Sequence, residues 1–357
     1  MLSRPKLIAY YLPQFYPFPE NDKWWGPGFT EWHIVAAARQ LFRGHEQPRL
    51  PGELGFYDLR LEETRIAQAK LAKTYGIYGF CYWHYWMGDG LTLMNRPIFE
   101  VLNTKKPDFP FCLGWANHSW IAKFYGRKND MLAEQKYPGK QDNEKHFYYN
   151  LPFFLDQRYI KVNDQPVYVI YKPKEIPNCK AFVEQFKNLA QKNGLKGLFV
   201  IGESVNLDEK EKYGLDAVTY TRHRVIESAN KSNFLLNKII RGYNLYLRSL
   251  TVFEYKEAMK YFLKHPIYDE LEYPTIITGW DTTPRLGRNA TILKNYSPKI
   301  FQKHVNEVLN SVKLKKHENN IIFVKSWNEW GEGNYLEPDQ KYGRQFLQVI
   351  LDEINEF

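Results

Sequence analysis

The sequence predicts one (β/α)8 TIM barrel over residues 1–357, with long loops and helices inserted between its strands. Two observations predict this fold class: eight short apolar segments bounded by turn residues, and helical patterns between them. The segments are continuously apolar rather than alternating, which is typical of parallel strands covered on both faces. They comprise residues 6–12, 77–83, 111–116, 166–172, 197–203, 215–221, 275–280 and 320–326. A count of strands does not show that a sheet closes, so a doubly wound open sheet is the alternative.

Helical periodicity fills the intervals between these strands. The predicted helices are 62–75, 180–192, 299–312 and 343–357. The first ends at Gly76 and the second near Gly194, where a glycine after a helix belongs. The intervals 117–165 and 222–273 are long, and we expect them to hold extra helices or loops.

The composition is that of a folded globular protein, with 44% apolar, 25% charged and 17% aromatic residues. This aromatic content excludes disorder, three cysteines are too few for a disulfide scaffold, and no run of about 18 apolar residues predicts a membrane span. The first apolar run is short and has no cleavage site after it, so we expect a strand rather than a signal peptide. The expected location is the cytoplasm.

The formal charge is +9, and a modest part of the excess lies in segment 231–248, where basic and apolar residues predict a basic amphipathic helix. Either this helix docks through its apolar face, or it binds an anionic partner. For such a partner we expect peripheral contact with an anionic membrane surface, here the inner membrane, or an acidic glycan. Nucleic acid is not expected, because no nucleic-acid-binding motif accompanies the charge.

Tryptophan is unevenly distributed along the chain. None of the ten lies between residues 121 and 279, and nearly all follow a predicted strand end or lie in the loop after the first strand. Because the carboxyl ends of barrel strands meet at one rim, the spacing predicts a rim that collects all ten and stacks on sugar faces. They are Trp24, Trp25, Trp32, Trp83, Trp86, Trp115, Trp120, Trp280, Trp327 and Trp330.

Two carboxylates, Glu329 and Glu332, follow the last predicted strand, flanked by Trp327, Trp330 and Gly333. A pair of carboxyl groups suits glycosidic bond cleavage, in which one protonates the leaving oxygen and the other acts as base or nucleophile. Burial beside indole rings keeps a carboxyl protonated near neutral pH. The alternative is a solvated acidic turn.

Polar residues follow other predicted strands in the same way. Gln14, Glu31, His84, Asn117, His118, Asp281 and Arg285 lie in such segments. Each segment alone is also compatible with a purely structural role, and their repetition at strand ends favours a common site. No metal or cofactor is expected, because CxxC, HExxH, P-loop, GxGxxG and GxSxG motifs are all missing from the sequence.

Taken together, these segments resemble the WbsX-type family, which is similar to the glycoside hydrolase family 99 (GH99) endo-α-mannosidases. The resemblance spans nearly the whole chain. The matching segments are 11–17, 20–26, 28–32, 44–51, 54–60, 75–86, 107–112, 280–285, 327–333 and 335–339. His118 and Ser119 depart from the family's usual Trp-Ala-Asn-Glu-Asn-Trp, which implies a different sugar or a changed charge requirement.

The resemblance implies a single catalytic barrel acting on a glycan, with Glu329 as the base that deprotonates a sugar 2-hydroxyl and Glu332 as general acid and then base. This chemistry passes through a 1,2-anhydro sugar with retention of configuration. WbsX-type genes usually lie among genes for O-antigen or capsule synthesis, which implies a role in bacterial surface polysaccharide metabolism. The predicted substrate contacts are Tyr11, Gln14, Trp24, Trp25, Glu31, Trp32, His84, Tyr85, Trp86, Asn117, His118, Trp120, Trp280, Asp281, Arg285, Trp327, Asn328, Tyr335 and Glu337.

The leading hypothesis is therefore a retaining, endo-acting glycoside hydrolase or transglycosidase that uses an oligo- or polysaccharide substrate. A glycosyltransferase of polysaccharide biosynthesis with an activated sugar donor is the alternative, although no DxD-like metal clamp is present. A binding module without catalysis is disfavoured, because a pure sugar binder does not need both glutamates.

Overall fold

The computed structural model describes residues 4–122, 130–229, 250–266, 268–316 and 320–357. The predicted basic helix 231–248 lies outside the described residues, so it stays a prediction. Among the residues that are described, no helix is both long and apolar enough to cross a bilayer.

Eight parallel strands form the predicted barrel, and all eight predicted segments are confirmed. We number them β1 to β8 along the chain. They are β1 Lys6–Tyr11, β2 Ile77–Gly88, β3 Phe111–Trp115, β4 Gln165–Ile170, β5 Phe199–Glu203, β6 Ala217–Thr219, β7 in two parts (Glu272–Tyr273 and Thr275–Ile277) and β8 Ile321–Lys325. Their side chains are almost entirely buried, because helices cover the outside and packed side chains fill the inside.

The ring of strands closes through β7, which is interrupted at Pro274. Its first part pairs with β6 and its second part with β8, which in turn pairs with β1. Proline has no N–H to donate, but the Pro274 carbonyl still accepts a hydrogen bond from the Phe323 N–H at 3.0 Å. This closure excludes the open-sheet alternative.

The helices follow the predicted alternation, and the four predicted ones differ by at most two residues at each end from those observed. In chain order the helices are α1 Pro19–Trp25, α2 Trp32–Ala37, α3 Glu62–Thr74, α4 Arg96–Thr104, α5 Lys140–Phe154, α6 Cys179–Lys192, α7 Val225–Ala229, α8 Tyr255–Met259, α9 Thr283–Leu286, α10 Pro298–Val312 and α11 Gln345–Glu356. The Asn178 side chain caps α6 by accepting from the Ala181 N–H, and proline occupies the first turn of α10.

The loops at the carboxyl ends of the barrel strands contain short strands and 3-10 turns. The long interval after β3 contains the hairpin of Trp120–Ala122 with Asp130–Ala133, followed by α5. The loop after β8 contains Asn328–Glu329 and Asn334–Tyr335 as a small antiparallel pair, joined by the 3-10 turn Trp330–Glu332. Thr251–Glu254, Thr291–Lys294 and Trp280–Asp281 form a three-stranded sheet beside β7.

Close packing at β2 provides a test of the barrel. A Cβ atom added at Gly79 would lie 2.6 Å from the Pro110 carbonyl oxygen and 2.9 Å from Ile160 Cδ1. We expect Gly79→Ala to lower the free energy of unfolding by about 1–3 kcal/mol, the usual cost of overpacking. Tyr78→Ala, at a partly exposed neighbouring position on the same strand, is the control and should cost less. Equal thermal midpoints for wild type and Gly79→Ala would contradict this packing.

Candidate active site

A cavity of about 460 Å³ opens at the carboxyl ends of the barrel strands. Its walls come from the carboxyl ends of all eight barrel strands and from the loops that follow them, so residues far apart in the chain meet there. Ten of the predicted site residues line it. They are Gln14, Trp25, Glu31, Tyr85, His118, Trp120, Trp280, Arg285, Glu329 and Glu332.

One guanidinium, that of Arg285, binds three carboxylates in this cavity. Its Nε donates to Glu31 Oε1, its Nη1 donates to Glu332 Oε1, and its Nη2 lies 2.8 Å from Glu329 Oε1. Because each terminal nitrogen of a planar guanidinium carries its own carboxylate, the two glutamates predicted to carry the chemistry are held side by side.

Glycines allow this cluster to form. A Cβ atom at Gly331 would collide with the Glu31 carboxylate and would lie 2.9 Å from Arg285 Nε. Gly333 ends the 3-10 turn with a φ of +59°, a left-handed conformation that glycine adopts at low cost. The turn between Glu329 and Glu332 is therefore compact enough for both side chains to reach one arginine.

Burial sets the charge state of the cluster. It raises the pKa of Glu329, an effect that Arg285 opposes and Glu332 reinforces. Burial likewise raises the pKa of Glu31, again against the effect of Arg285. Burial acts to lower the pKa of Arg285, but the three carboxylates raise it well above its ordinary value, so the guanidinium stays charged.

A second pair of charged groups, Lys325 and Glu203, also lines the cavity. Neither residue was predicted from the sequence. Lys325 ends β8 and Glu203 ends β5. Tyr171, His223 and Arg224 were missed as well. A charged residue at the carboxyl end of an otherwise apolar strand was the pattern that could have revealed the first two.

His84 and Trp86 lie behind the cavity wall and not in it. His84 Nε2 is 2.9 Å from the Tyr168 hydroxyl, and burial lowers the pKa of His84 to about 3, so this ring is neutral. Trp86 Nε1 donates to Asp142 Oδ2 at 2.9 Å, and its ring stacks on His146. These contacts pack both side chains within the protein, and the predicted sugar-binding role of the two residues stays a prediction.

Asn117, Asp281 and Asn328 also lie outside the cavity lining, because backbone and side-chain partners occupy their polar atoms. Asn117 exchanges hydrogen bonds of 2.8 and 2.9 Å with the backbone of Lys172. Asn328 does the same with Leu12, at 2.7 and 3.0 Å. Asp281 is fully buried. Its carboxylate pairs with His45 and Gln47 of the loop after β1, and it accepts from the Thr283 hydroxyl two residues further along the chain. These hydrogen bonds tie neighbouring loops together, and the sugar contacts predicted for the three residues stay predictions.

Glu337 and Tyr11 belong to a buried hydrogen-bond network beneath the site. Glu337 accepts from Tyr57 Oη at 2.8 Å, Gln68 Nε2 at 2.6 Å and Trp330 Nε1 at 2.7 Å. Tyr11 Oη donates to Gln68 Oε1 at 2.7 Å. The network holds the Trp330 ring in place, and neither predicted residue lines the cavity.

Four of the ten tryptophans of the predicted rim line the cavity. Trp83 joins Trp25, Trp120 and Trp280 in the cavity wall. The half-buried Trp24 packs on the ring of Trp120 and does not line the cavity. Indoles that follow strand ends are large enough to fill the space between loops, and most of them do so.

Three further predicted contacts are part of this packing. Tyr335 stacks on Trp330 with ring centroids 3.7 Å apart. Trp32 donates from Nε1 to the Tyr57 carbonyl at 2.8 Å, and Trp327 is fully buried in the core. These residues support the loops that carry the carboxylates, and the sugar contacts predicted for them stay predictions.

Within the described ranges, no group of three or more His, Cys, Asp or Glu side chains has an arrangement that could hold a metal ion.

Comparison with known proteins shows the family to which this chain belongs. The family model described as Glycosyltransferase WbsX matches residues 7–350. This chain belongs to the WbsX family. Two relatives, both described as Uncharacterized protein WxcX and both from Xanthomonas campestris pv. campestris (strains B100 and ATCC 33913), are each 32% identical over 348 residues, or 96% of this chain. The chain spans about half the length of these curated relatives, 48% in each case.

Solved structures similar to this WbsX chain share its fold. The GH99 endo-alpha-mannosidase from Bacteroides thetaiotaomicron has a TM-score of 0.59 and 15% identity, covering 98% of this chain and 96% of that one. A glycoside hydrolase-like protein has a TM-score of 0.58 and 14% identity, covering 99% and 94%. The predicted family and the predicted barrel are therefore both confirmed.

The Glu337 network yields a pH-dependent prediction. Burial raises the pKa of Glu337 from 4.5 to about 7, against the effect of its hydrogen bonds. The folded state therefore holds this proton more tightly than the unfolded state does. Its contribution to stability is complete below pH 4.5 and is lost as the pH rises through 7. We expect the free energy of unfolding to fall by roughly 3 kcal/mol across this window through Glu337 alone.

Urea unfolding between pH 4 and 8 measures the free energy of unfolding of wild type and of Glu337→Gln. The difference between the two proteins isolates the contribution of Glu337, because the other buried carboxyl groups contribute equally to both. The wild type should lose stability relative to the variant as the pH rises. The exposed Glu356→Gln is the matched control and should follow the wild type. Parallel profiles for wild type and Glu337→Gln would show that Glu337 does not titrate in this window.

Proposed function

We propose that this chain is a glycan-active enzyme that cleaves or transfers glycosidic bonds with retention, through Glu329 and Glu332, in bacterial surface polysaccharide metabolism. The observation that carries the proposal is the binding of both carboxylates by Arg285 at the carboxyl end of a barrel. Two adjacent carboxyl groups in a cavity are what retaining glycoside chemistry requires. We propose an endo-acting mode and a cytoplasmic or peripheral inner-membrane location as well.

The proposed reaction divides proton transfer between the two glutamates. Glu329 removes the proton of a sugar 2-hydroxyl, whose oxygen attacks the anomeric carbon. Glu332 protonates the departing glycosidic oxygen as that bond breaks. Glu332 then takes a proton from water or from an acceptor hydroxyl, which opens the anhydro sugar at the anomeric carbon, and Glu329 returns its proton to the 2-oxygen. Two inversions give net retention.

Side-chain environment supports this division of roles. Burial raises the pKa of Glu329, which strengthens it as a base once it is ionised. The Glu332 side chain is 24% exposed, against 8% for Glu329, so it lies nearer the solvent and any leaving group or acceptor. Trp25, Trp83 and Trp120 supply aromatic surface in the wall, on which sugar rings can stack.

An α-mannoside is our proposed substrate class, because the solved structures that share this fold include endo-alpha-mannosidases. The name of the WbsX family supports a second candidate, a glycosyltransferase that uses an activated donor. In that reaction an acceptor hydroxyl would displace the donor's own leaving group, and protonation of a glycosidic oxygen would not be required. The two candidates therefore differ in their need for an acid.

Amide variants of the two glutamates test their roles. We expect Glu332→Gln to lower the rate on an unactivated glycan by ~10²–10⁴-fold, the size of a general-acid contribution, while glycan binding is kept. Aryl glycosides, whose leaving group needs no proton, should restore much of the bond-cleavage rate in Glu332→Gln but not in Glu329→Gln. Glu356→Gln, at an exposed position, is the control. Full activity of Glu332→Gln on the unactivated glycan would disprove the assignment.

Product analysis tests the reaction class. The protein is incubated with a panel of α-mannans and O-antigen fragments, and in parallel with GDP- and UDP-sugars plus acceptors. NMR follows the configuration of the new anomeric centre. We expect oligosaccharide release from the glycans with retention, because each turnover inverts the anomeric carbon twice. Turnover of nucleotide sugars alone would establish the transferase instead.

A further inference from the structure

The floor of the cavity contains a buried ammonium group that the proposed mechanism does not use. Lys325 is only 8% exposed, and its Nζ lies over the rings of Trp83 at 5.3 Å, Tyr10 at 5.4 Å and Tyr171 at 5.8 Å. Cation–π contacts of this kind fix the position of an ammonium group and leave its N–H donors free. The position of Lys325 is thus set by rings.

Lys325 has no close polar partner within the described part of the chain. Its side chain makes no hydrogen bond there and no ion pair of 4.0 Å or less. Glu203 lies within electrostatic range and raises the pKa of Lys325 against the effect of burial, so the ammonium stays charged. A buried ammonium with unused donors is costly unless an acceptor is supplied from elsewhere.

The acceptor half of this floor is partly open. Glu203 is 2% exposed, and burial raises its pKa against the effects of Lys325 and of hydrogen bonding by the hydroxyls of Thr221 and Tyr10. Its Oε2 nevertheless lacks a hydrogen-bond partner of good geometry, and so does the buried Trp280 Nε1 on the adjoining wall. Buried polar atoms in this state are uncommon in native proteins and indicate that a ligand or ordered water completes them. Lys325, Glu203 and Trp280 all line the cavity, so a ligand there can reach their polar atoms.

The charge of the cavity favours a neutral ligand. Four carboxylates and three cations line it: Glu31, Glu203, Glu329, Glu332, Arg224, Arg285 and Lys325. Arg285 is occupied by three of these carboxylates, and Arg224 pairs with Glu227 at 2.8 Å. Because both arginines are already paired with carboxylates, an anionic sugar would gain little from them. A hydroxyl group both donates and accepts, so it satisfies a carboxylate and an ammonium without adding charge.

We propose that Lys325 and Glu203 form a specificity subsite that binds free ring hydroxyls of a neutral sugar, with Glu203 accepting and Lys325 donating. The subsite adjoins the two catalytic carboxylates of the proposed reaction, because Lys325, Glu203, Glu329 and Glu332 line the same cavity. It selects against sugars whose edge at this floor carries a carboxylate or another substituent. This inference rests on the proposed sugar-binding function and adds the residues that recognise the hydroxyl groups of the sugar.

Binding measurements without turnover test the subsite. The probes are methyl α-glycosides of mannose, glucose and galactose, their monodeoxy derivatives and methyl α-glucuronoside, followed by saturation-transfer difference NMR. The proteins are wild type, Lys325→Met, Glu203→Gln and the exposed control Lys303→Met. We expect at least one neutral glycoside to bind wild type and Lys303→Met, and to bind both subsite variants ~10–100-fold more weakly, the usual effect of one charged hydrogen bond.

The monodeoxy derivatives test the same contact with the unaltered protein, so the result does not depend on the folding of a variant. One deoxy glycoside should bind wild type ~10–100-fold more weakly than its parent glycoside does. Lys325→Met or Glu203→Gln should bind that deoxy glycoside and its parent equally well, because the variant has already lost the contact. Three results would overturn the proposal. The glucuronoside could bind more strongly than the neutral glycosides and depend on Lys325 alone. The neutral glycosides could bind equally to all four proteins, or none of them could bind. Because no turnover is needed, a failed hydrolysis assay leaves this result unaffected.

Discussion

The geometry of the site depends on one cation, Arg285, that holds three carboxylates from separate parts of the chain. Glu31 comes from the loop after β1, Arg285 from the loop after β7, and Glu329 and Glu332 from the loop after β8. Without the guanidinium, three acidic groups in a partly buried space would repel one another. Removing one partner of a buried ion pair typically lowers the free energy of unfolding by about 3–5 kcal/mol. The arrangement of the loops at the carboxyl ends of the barrel strands therefore depends on this contact.

Loops that carry such a cluster need support from residues whose polar atoms are bound within the protein. Asn328 ties the last loop to Leu12, Asp281 ties the loop after β7 to that after β1, and Glu337 fixes Trp330 from below. Each is polar and adjacent to a strand end, which is also the pattern of a substrate contact. Sequence position alone therefore does not distinguish a loop clamp from a sugar contact, since the difference is whether backbone atoms have already used the polar groups.

Much of the fold could be predicted because strand burial leaves a direct trace in the sequence. All eight barrel strands were continuous apolar runs, and only the break at Pro274 shifted one of them toward its N-terminal side. The two glutamates were placed correctly in the cavity by the Trp-Gly turn around them. The tryptophans were harder, because the same indole ring can stack on a sugar or fill a gap between loops, and the choice depends on packing between distant segments. Lys325 was not predicted, because it lies inside the predicted strand 320–326 and the strand pattern alone does not show that its side chain lines a cavity.

The third carboxylate, Glu31, gives the cluster a property that a simple pair would lack. One guanidinium charge opposes three carboxylates, so full ionisation leaves an excess of negative charge in a buried space. Binding one proton within the group relieves that excess, and the raised pKa values of Glu31 and Glu329 have this cause in addition to burial. Acid–base chemistry on a glycosidic bond needs one proton held and one carboxylate free at the same time. In the proposed reaction, a shared arginine with three acidic partners provides that intermediate state of charge. Lys325, held over aromatic rings on the cavity floor, is not part of the cluster, which leaves it available to the sugar in the proposed subsite.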